Sequence, residues 1–320
     1  MTAGSLAQVA APAQQEAPAI RVRGLRKVFG RTVAVSAVDL DVPAGAVLGV
    51  LGPNGSGKTT MIRMLLALSR PTAGTVELLG VPIPAAAGEV LPHVGALVEG
   101  PGFHPFLSGR ENLLRCAAAE PLLPTRAIRE AVQGALARVG LTSAADRRYR
   151  AYSLGMKQRL GLAAALLVPR RLVVLDEPTN GLDPAGTREV RRIIGELHAD
   201  GATVLVSSHL LAEVEATCTH VAVLARGSLI AAGPLATMLD GEAPALQVHT
   251  PDAAVALEAL GAAGLNAASS PDGVRVELAG TDAPAVVALL VRAGVAVHEV
   301  RRWRTGLDEL FAQLTQGGEL

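Results

Sequence analysis

The sequence is poor in aromatic residues and in cysteine, and it carries no net charge. Only 2% of its 320 residues are aromatic although 50% are hydrophobic, so we expect a core built from Ala, Val and Leu. Lys plus Arg and Asp plus Glu number 29 each, a balance that disfavours a nucleic-acid partner. Cys116 and Cys218 lack metal-ligand spacing and, without a secretory signal, indicate reduced thiols of a cytosolic protein.

Long hydrophobic runs are also missing. The longest apolar stretches, 161–169 and 283–290, fall well short of the ~20 residues that a membrane-spanning helix requires. We therefore expect a soluble chain, and another polypeptide must supply any membrane spans. Residues 1–18 are rich in Ala, Gln and Pro and predict a disordered tail.

The motif least expected to arise by chance is a glycine-rich loop. It lies between an apolar run, 46–51, and a run with helical spacing, 61–66. Glycines let backbone N–H groups surround phosphate oxygens, and the helix N-terminus adds its dipole. Lys58 is expected to reach the β- and γ-phosphates, and the Thr59 hydroxyl to hold Mg²⁺. The alternative is a glycine-rich turn without a ligand. The loop consists of Gly52, Pro53, Asn54, Gly55, Ser56, Gly57, Lys58, Thr59 and Thr60.

Two adjacent carboxylates end a second apolar run, 171–175. Charges belong at the carboxyl edge of a buried parallel strand, where open α/β sheets bind their ligands. Asp176 suits a Mg²⁺ role and Glu177 suits a general base, the alternative being a solvated acidic strand end. His209 follows the next strand, 202–207, and is placed to sense the γ-phosphate, although a lone histidine is more often structural.

Three of the few aromatic residues lie in predicted turns and loops. Phe29 precedes Gly30 and is suited to stack on an adenine face, the alternative being a phenylalanine at the edge of the core. The segment 99–106 is a loop by its glycines and prolines, and it contains Phe103 and Phe106. These two rings suggest a partner surface; alternatively they fold back as a local cluster.

The pattern of periodicities predicts an α/β fold followed by a smaller α+β domain. We assign residues 1–18 to the tail, 19–240 to a nucleotide-binding domain and 241–320 to an accessory domain with the order βαββαβ. In the larger domain, helices are expected at 108–119 (with Ser108 as N-cap), 125–139, 157–168 and 184–199. In the accessory domain, strands are expected at 246–249, 274–278 and 295–300, and helices at 254–260, 284–292 and 305–314.

Taken together, these residues resemble the ATP-binding cassette ATPases, the nucleotide-binding subunits of transporters. Residues 52–60 are similar to the Walker A motif, 172–177 to Walker B and 152–160 to the signature motif. Residues 180–183 resemble the D-loop, His209 the switch histidine and Phe29 the adenine-stacking position. The resemblance implies a phosphate-loop NTPase cassette with a RecA-like core, an antiparallel β subdomain and a helical subdomain, and it implies ATP and Mg²⁺ as cofactors.

The chain departs from the family pattern at three places. Leu154 and Met156 stand where the family has Gly and Gln, while Ser153 and Gly155 remain. Glu99 occupies the position of the Q-loop glutamine. A carboxylate can ligate Mg²⁺, but it cannot donate a hydrogen bond as the glutamine amide does. Phe29 replaces the commoner tyrosine and keeps the stacking face.

The resemblance also implies a mechanism that needs two copies of the chain. Each ATP lies between Lys58 of one subunit and Ser153, Gly155 and Asp183 on the other side of a head-to-tail homodimer. Glu177, His209 and Lys58 act on the γ-phosphate, and Thr59, Asp176 and Glu99 are the metal candidates. The loop 99–106 receives a separate membrane permease, which places the chain at the cytoplasmic face of the membrane.

A subgroup resemblance narrows the function further. Glu99 followed by Pro-Gly-Phe, the signature segment and the ending 307–311 are similar to bacterial exporters of the bacitracin and daunorubicin resistance kind. Two alternatives stay open. One is a cassette ATPase acting on ribosomes or DNA, which would usually carry two cassettes or a long coiled-coil insertion. The other is a nucleotide-binding regulator without turnover.

Overall fold

The computed structural model describes residues 17–100, 102–239, 244–278 and 280–303. The strands are β1 (Ile20–Phe29), β2 (Thr32–Val42), β3 (Val47–Leu51), β4 (Ala73–Leu78), β5 (Val81–Ile83), β6 (Val94–Leu97), β7 (Leu172–Asp176), β8 (Thr203–Ser208), β9 (His220–Ala225), β10 (Ser228–Pro234), β11 (Ala245–His249), β12 (Ala267–Ser270), β13 (Gly273–Glu277) and β14 (Glu299–Trp303). The helices are α1 (Lys58–Leu65), α2 (Ala87–Val90), α3 (Gly109–Ala118), α4 (Ile128–Arg138), α5 (Leu154–Ala165), α6 (Pro184–Ala199), α7 (Leu211–Thr217), α8 (Leu235–Leu239), α9 (Ala253–Ala262) and α10 (Ala283–Arg292). Short 3₁₀ turns occupy Leu91–His93, Thr125–Ala127, Thr142–Ala144 and Tyr149–Ala151.

The strands form three sheets. An antiparallel sheet has the order β2-β1-β4-β5, and a six-stranded sheet has the order β10-β9-β3-β8-β7-β6. In the second sheet β6, β7 and β8 run parallel, with Leu97 opposite Leu175 and Asp176 opposite Ser207. Strands β3 and β7 are buried along their whole length, which explains why both read as unbroken apolar runs in the sequence. The register brings the carboxyl ends of β6, β7 and β8 to one edge.

Side-chain caps set the starts of helices α3, α5 and α6. Ser108 caps α3 in a reciprocal capping box with Glu111, which confirms the predicted N-cap. Helix α6 has the predicted bounds, with Asp183 as N-cap and Pro184 in its first turn. Helix α5 begins at Leu154 rather than at residue 157, because the Ser153 hydroxyl accepts a hydrogen bond from the backbone of Met156.

Residues 245–303 build a third, antiparallel sheet with the order β12-β13-β11-β14. The element order β11-α9-β12-β13-α10-β14 is the predicted βαββαβ order. Its core contains Leu246, Val248, Ala256, Leu260, Val274, Val276, Val286, Leu290 and Val295. Two details of the prediction were wrong: β12 was missed, and β14 begins at Glu299 rather than at Val295. Val295 is buried in the core but lies outside any strand.

By its internal contacts the chain divides into two compact units. One comprises the described residues up to Leu48 with Asn54–Ser207 and Arg226–Ser228; the other comprises Gly49–Pro53, Ser208–Ala225 and the described residues from Leu229 onward. Most of the predicted tail, the predicted boundary at 240/241 and the predicted helix 305–314 lie outside the described residues. Within the described ranges, none of the helices combines the length and the apolar character needed to cross a membrane.

Candidate nucleotide site

The phosphate-type loop ends at an uncapped helix start. Gly57 is the N-cap of α1 at φ 103°, and no side chain caps the helix there. A Cβ at Gly57 would lie 2.5 Å from the backbone oxygen of Ala34, so neither the backbone angle nor the space admits a side chain. No side chain therefore competes for the start of α1, where the helix dipole favours negative charge.

A buried hydroxyl in the same loop has no partner. Ser56 is buried, and its Oγ makes no hydrogen bond within the described part of the chain. Such an atom carries a desolvation cost unless a ligand or water satisfies it. The Gly227 N–H donates to the Ser56 carbonyl at 3.1 Å, which fixes this point of the loop. The loop encloses a cavity of about 160 Å³, lined by Ala34, Asn54, Gly55, Ser56, Gly57, Lys58, Thr59, Thr60 and Glu177.

Lys58 is the cation of this cavity. Its side chain is only 5% exposed, and its Nζ lies 4.0 Å from Glu177 Oε1. Burial lowers the pKa of Lys58, and the nearby carboxylates Glu177 and Asp176 oppose that shift without cancelling it. A buried ammonium in this setting gains from any further negative charge, so the cavity is built to receive an anion.

The Asp176 carboxylate and the Glu177 backbone are held by a residue that the sequence did not single out. Ser207 Oγ donates to Asp176 Oδ1 at 2.5 Å and accepts from the Glu177 backbone N–H at 2.9 Å. Ser207 is completely buried at the end of β8, opposite Asp176 in the parallel register. The available signal was the pair of serines, Ser207 and Ser208, that follows the apolar residues of β8. This bridge fixes the turn after β7, where Glu177 adopts a left-handed φ of 46°.

A larger cavity of about 420 Å³ brings together the three predicted metal ligands. It is lined by Thr59, Glu99, Gly100, Leu154, Gln158, Asp176, Glu177 and Asn180. Hydroxyl and carboxylate oxygens are the donors that Mg²⁺ prefers. Among the described residues no three His, Cys, Asp or Glu side chains are grouped closely enough to hold a metal alone. The donor set therefore fits Mg²⁺ bound by one or two carboxylates together with phosphate oxygens. One of the candidate carboxylates, Glu99, forms an ion pair with Arg63.

Phe29 ends β1 with 51% of its surface exposed, so it is not a core-edge residue. Lys27 Nζ lies 4.8 Å from the centre of its ring. An exposed aromatic face of this kind is available for stacking on a base.

The predicted signature and D-loop residues serve as helix caps here. Ser153 Oγ accepts from Met156 N at 3.2 Å, and Asp183 Oδ1 accepts from Gly186 N at 2.8 Å. Neither residue lines the two cavities described above. Gly155 lies close enough to the D-loop that an added Cβ would approach Leu182 Cδ2 to 3.3 Å.

The remaining predicted site residues lie at the ends of two strands. Gly52 and Pro53 directly follow β3, and His209 directly follows β8 with an exposed side chain.

In the loop 99–106 one phenylalanine belongs to a local aromatic cluster and the other is exposed. Phe103 packs edge-to-face against Tyr149, with 5.4 Å between ring centres, as a local cluster would. Phe106 is 59% exposed, and the Arg150 guanidinium lies 5.5 Å from its ring centre. Of the two loop phenylalanines, Phe106 therefore presents the open aromatic surface.

An uncapped, glycine-lined helix start after a buried strand, with paired carboxylates at the end of a parallel strand, defines a phosphate-loop NTPase. The family model described as ABC transporter matches residues 35–180. The daunorubicin/doxorubicin resistance ATP-binding protein DrrA of Streptomyces peucetius is 35% identical over 309 residues, 94% of this chain and 93% of its own length. The chain belongs to the ABC transporter family, as an ATP-binding subunit with an ATPase cassette.

Two further comparisons agree. The bacitracin transport ATP-binding protein BcrA of Bacillus licheniformis is 42% identical over 212 residues, 66% of this chain and 68% of its own length. A dimeric ATP-binding cassette in a post-hydrolysis state, bound to ADP and Pi, superposes with a TM-score of 0.62 at 22% identity, covering 68% of this chain and 98% of that one. The predicted family, the predicted cassette fold and the predicted ATPase class are confirmed. Cassettes of this family form dimers and work with a membrane permease.

Proposed function

We propose that the chain hydrolyses ATP to power export of a drug, antibiotic or peptide through a separate permease, from the cytoplasmic face of the membrane. The resistance and transport proteins DrrA and BcrA support this direction and this substrate class. The observation that carries the ATPase part is the pair Asp176 and Glu177, fixed by Ser207 beside the buried Lys58.

The loop 52–60 is proposed to hold the triphosphate of ATP. The backbone N–H groups at the start of α1, where no side chain caps the helix, and the unpartnered Ser56 hydroxyl are donors for phosphate oxygens. Lys58 neutralises the β- and γ-phosphates and exchanges part of its contact with Glu177 for theirs. The exposed ring of Phe29 stacks on the adenine.

Glu177 is proposed as the group that accepts the proton of the attacking water. Its backbone N–H is held by Ser207, so the carboxylate stays at the edge of the sheet facing the same cavities as Lys58 and Thr59. His209 follows the neighbouring strand β8 and is proposed to contact the γ-phosphate.

Thr59 and Asp176, with Glu99, are proposed to hold Mg²⁺. When bound, the ion screens the charge that builds up on the transferred phosphoryl group. Ser207 keeps Asp176 turned toward this position by donating to its Oδ1. Thr59 supplies a hydroxyl from the first turn of α1.

A second copy of the chain is proposed to complete the site. Ser153, Gly155 and Asp183 lie outside the linings of both cavities around Lys58, as residues that act on the partner's nucleotide would. The loop 99–106, with exposed Phe106, is proposed as the contact with the permease.

The decisive test of the catalytic assignment replaces Glu177 by glutamine, which keeps the size of the side chain. Turnover of purified protein should fall by about 10²–10⁴, the usual contribution of a general base. ATP should then hold Glu177→Gln as a dimer in size-exclusion chromatography. Glu77→Gln is the matched control, because Glu77 is a half-exposed, ion-paired carboxylate on the antiparallel sheet. Wild-type turnover in Glu177→Gln would reject the base, and a monomer with ATP would reject the shared site.

Export is tested in cells. Co-expression of this chain with its permease should raise the tolerated concentration of a bacitracin- or anthracycline-type compound, and Glu177→Gln should remove that gain. If tolerance rises equally with Glu177→Gln, ATP hydrolysis by this chain does not power the effect. If no compound of a broad antibiotic panel is tolerated better, the export proposal is wrong while the ATPase assignment stands on its own test.

A further inference from the structure

Glu99, which lines the larger cavity, forms an ion pair with a residue that has no role in the proposed catalysis. Arg63 Nη2 contacts Glu99 Oε1, and both side chains are about half exposed. Arg63 lies on α1 one helical turn after Thr59, so both side chains project from the same face of the helix. Glu99 lies two residues beyond the end of β6.

The sheet register explains why Glu99 is near the proposed metal position. Leu97 of β6 pairs with Leu175 of β7, so Glu99 and Glu177 follow at equivalent positions on neighbouring strands. Both adopt a left-handed backbone conformation, with φ 59° at Glu99 and 46° at Glu177. A non-glycine residue in that region is held there by its surroundings. Three carboxylates, Glu99, Asp176 and Glu177, consequently line one cavity.

Two of these three carboxylates are paired with cationic side chains in the described part of the chain. Lys58 pairs with Glu177, and Arg63 pairs with Glu99. The lysine is buried and belongs to the phosphate loop, whereas Arg63 is half exposed and lies outside it. A guanidinium is always charged and cannot release its partner by losing a proton. The half-exposed pair exchanges with water, so a divalent metal can compete with the guanidinium for the Glu99 carboxylate.

We propose that Arg63 is a positioning residue that acts as an internal counter-cation for Glu99 and competes with the nucleotide-bound divalent metal for its carboxylate. The proposal rests on the ATPase function proposed above. In the metal-free chain Arg63 holds Glu99. When the metal binds with ATP, Glu99 turns from Arg63 to the metal or to a water bound on it, and Arg63 is left to solvent. The pair with Arg63 therefore weakens metal binding. A glutamine at position 99 is uncharged and would form no such ion pair.

The test measures metal binding directly and does not depend on turnover. Binding of Mn²⁺ is followed by electron paramagnetic resonance in the presence of a saturating non-hydrolysable ATP analogue. Arg63→Ala should tighten Mn²⁺ binding about two- to fivefold, the range expected from breaking a half-exposed ion pair. Arg63→Lys, which keeps the charge, should bind close to wild type. Arg21→Ala is the matched control, because it breaks a pair of similar exposure with Glu77.

A second variant separates this competition from a general charge effect. In a Glu99→Gln background, replacing Arg63 by alanine should leave Mn²⁺ binding unchanged. A gain that persists there, or no gain with Arg63→Ala alone, would overturn the proposal. So would weaker binding of the ATP analogue without metal in Arg63→Ala, which would place Arg63 on the phosphates instead. Failure of the wild-type chain to bind the analogue at all would reject the proposed function rather than this inference.

Discussion

Helices α1 and α6 begin in opposite ways. Helix α1 starts at Gly57, in a left-handed conformation with no side-chain cap, while α6 starts at Asp183, whose carboxylate accepts from the Gly186 backbone. In α6 the cap satisfies one of the orphan N–H groups and confers stability. In α1 no side chain caps the first turn, and the proposed function assigns its N–H groups to the phosphates of ATP. The start of α6 thus contributes to the stability of the fold, whereas the start of α1 belongs to the candidate site.

The largest effect should come from adding a methyl group at the uncapped start. Gly57→Ala combines a φ of 103° with a Cβ 2.5 Å from the Ala34 oxygen. Straightening the loop to relieve this should cost about 3 kcal/mol of binding, or about 100-fold in ATP affinity. Titration with a fluorescent ATP analogue measures it. Gly55→Ala is the control, since its φ is 81° but no atom lies near the added Cβ; equal losses in both variants would contradict the role of the close contact.

The continuous segment of the candidate site could be proposed from the sequence, whereas the contacts that support it could not. The residues 52–60 could be read locally because a phosphate loop is one continuous segment. The Gly227 turn that bonds to Ser56, and the Ser207 bridge to Asp176, join segments far apart in sequence and became visible only in the fold. The Arg63–Glu99 pair was missed for the same reason.

Secondary structure was predictable where caps or strong periodicity marked it. Pro184 fixed the start of α6, and Ser108 that of α3. Strand β12 reads Ala-Ala-Ser-Ser and carries no β-branched signal, so it forms only because β13 pairs with it. Val295 looked like the start of a strand because it is apolar, yet it reaches the core from a loop.

Removing the side-chain cap at the start of α6 should change the stability of the protein. Asp183→Ala should lower the free energy of unfolding by about 1 kcal/mol, since it removes the side-chain cap of α6. Asp183→Asn should retain most of that energy because the amide oxygen still accepts. Urea denaturation measures the stability of both variants, and ATPase assays on the same samples measure their turnover. Unchanged stability in Asp183→Ala would show that the cap contributes nothing and that the contrast with α1 is wrong.

Helix α5 provides an intermediate case. Ser153 caps it through a longer hydrogen bond, 3.2 Å to Met156 N, on an exposed side chain. Ser153→Ala should therefore cost less than Asp183→Ala, about 0.5 kcal/mol in unfolding free energy. Thermal unfolding of the two variants side by side gives the order. A larger loss for Ser153→Ala would mean that the hydroxyl supports more than the cap.

The smallest effect concerns the cap of α3 and depends on pH. Ser108 N–H donates to Glu111 Oε2 at 2.6 Å, and the hydrogen bonds from the Ser108 backbone and side chain lower the pKa of Glu111. Because the folded pKa lies below the unfolded one, this contribution is fully present above the ordinary glutamate pKa of about 4.3 and is lost as the pH falls through the lowered value. Glu111→Gln still accepts the bond but cannot titrate, so its stability should fall less steeply than wild type below about pH 4.3. Parallel urea denaturation at pH 6 and at a pH below about 4.3 tests this. Identical losses of stability in the two proteins would show that the capping box holds its charge no better in the folded chain than in the unfolded one.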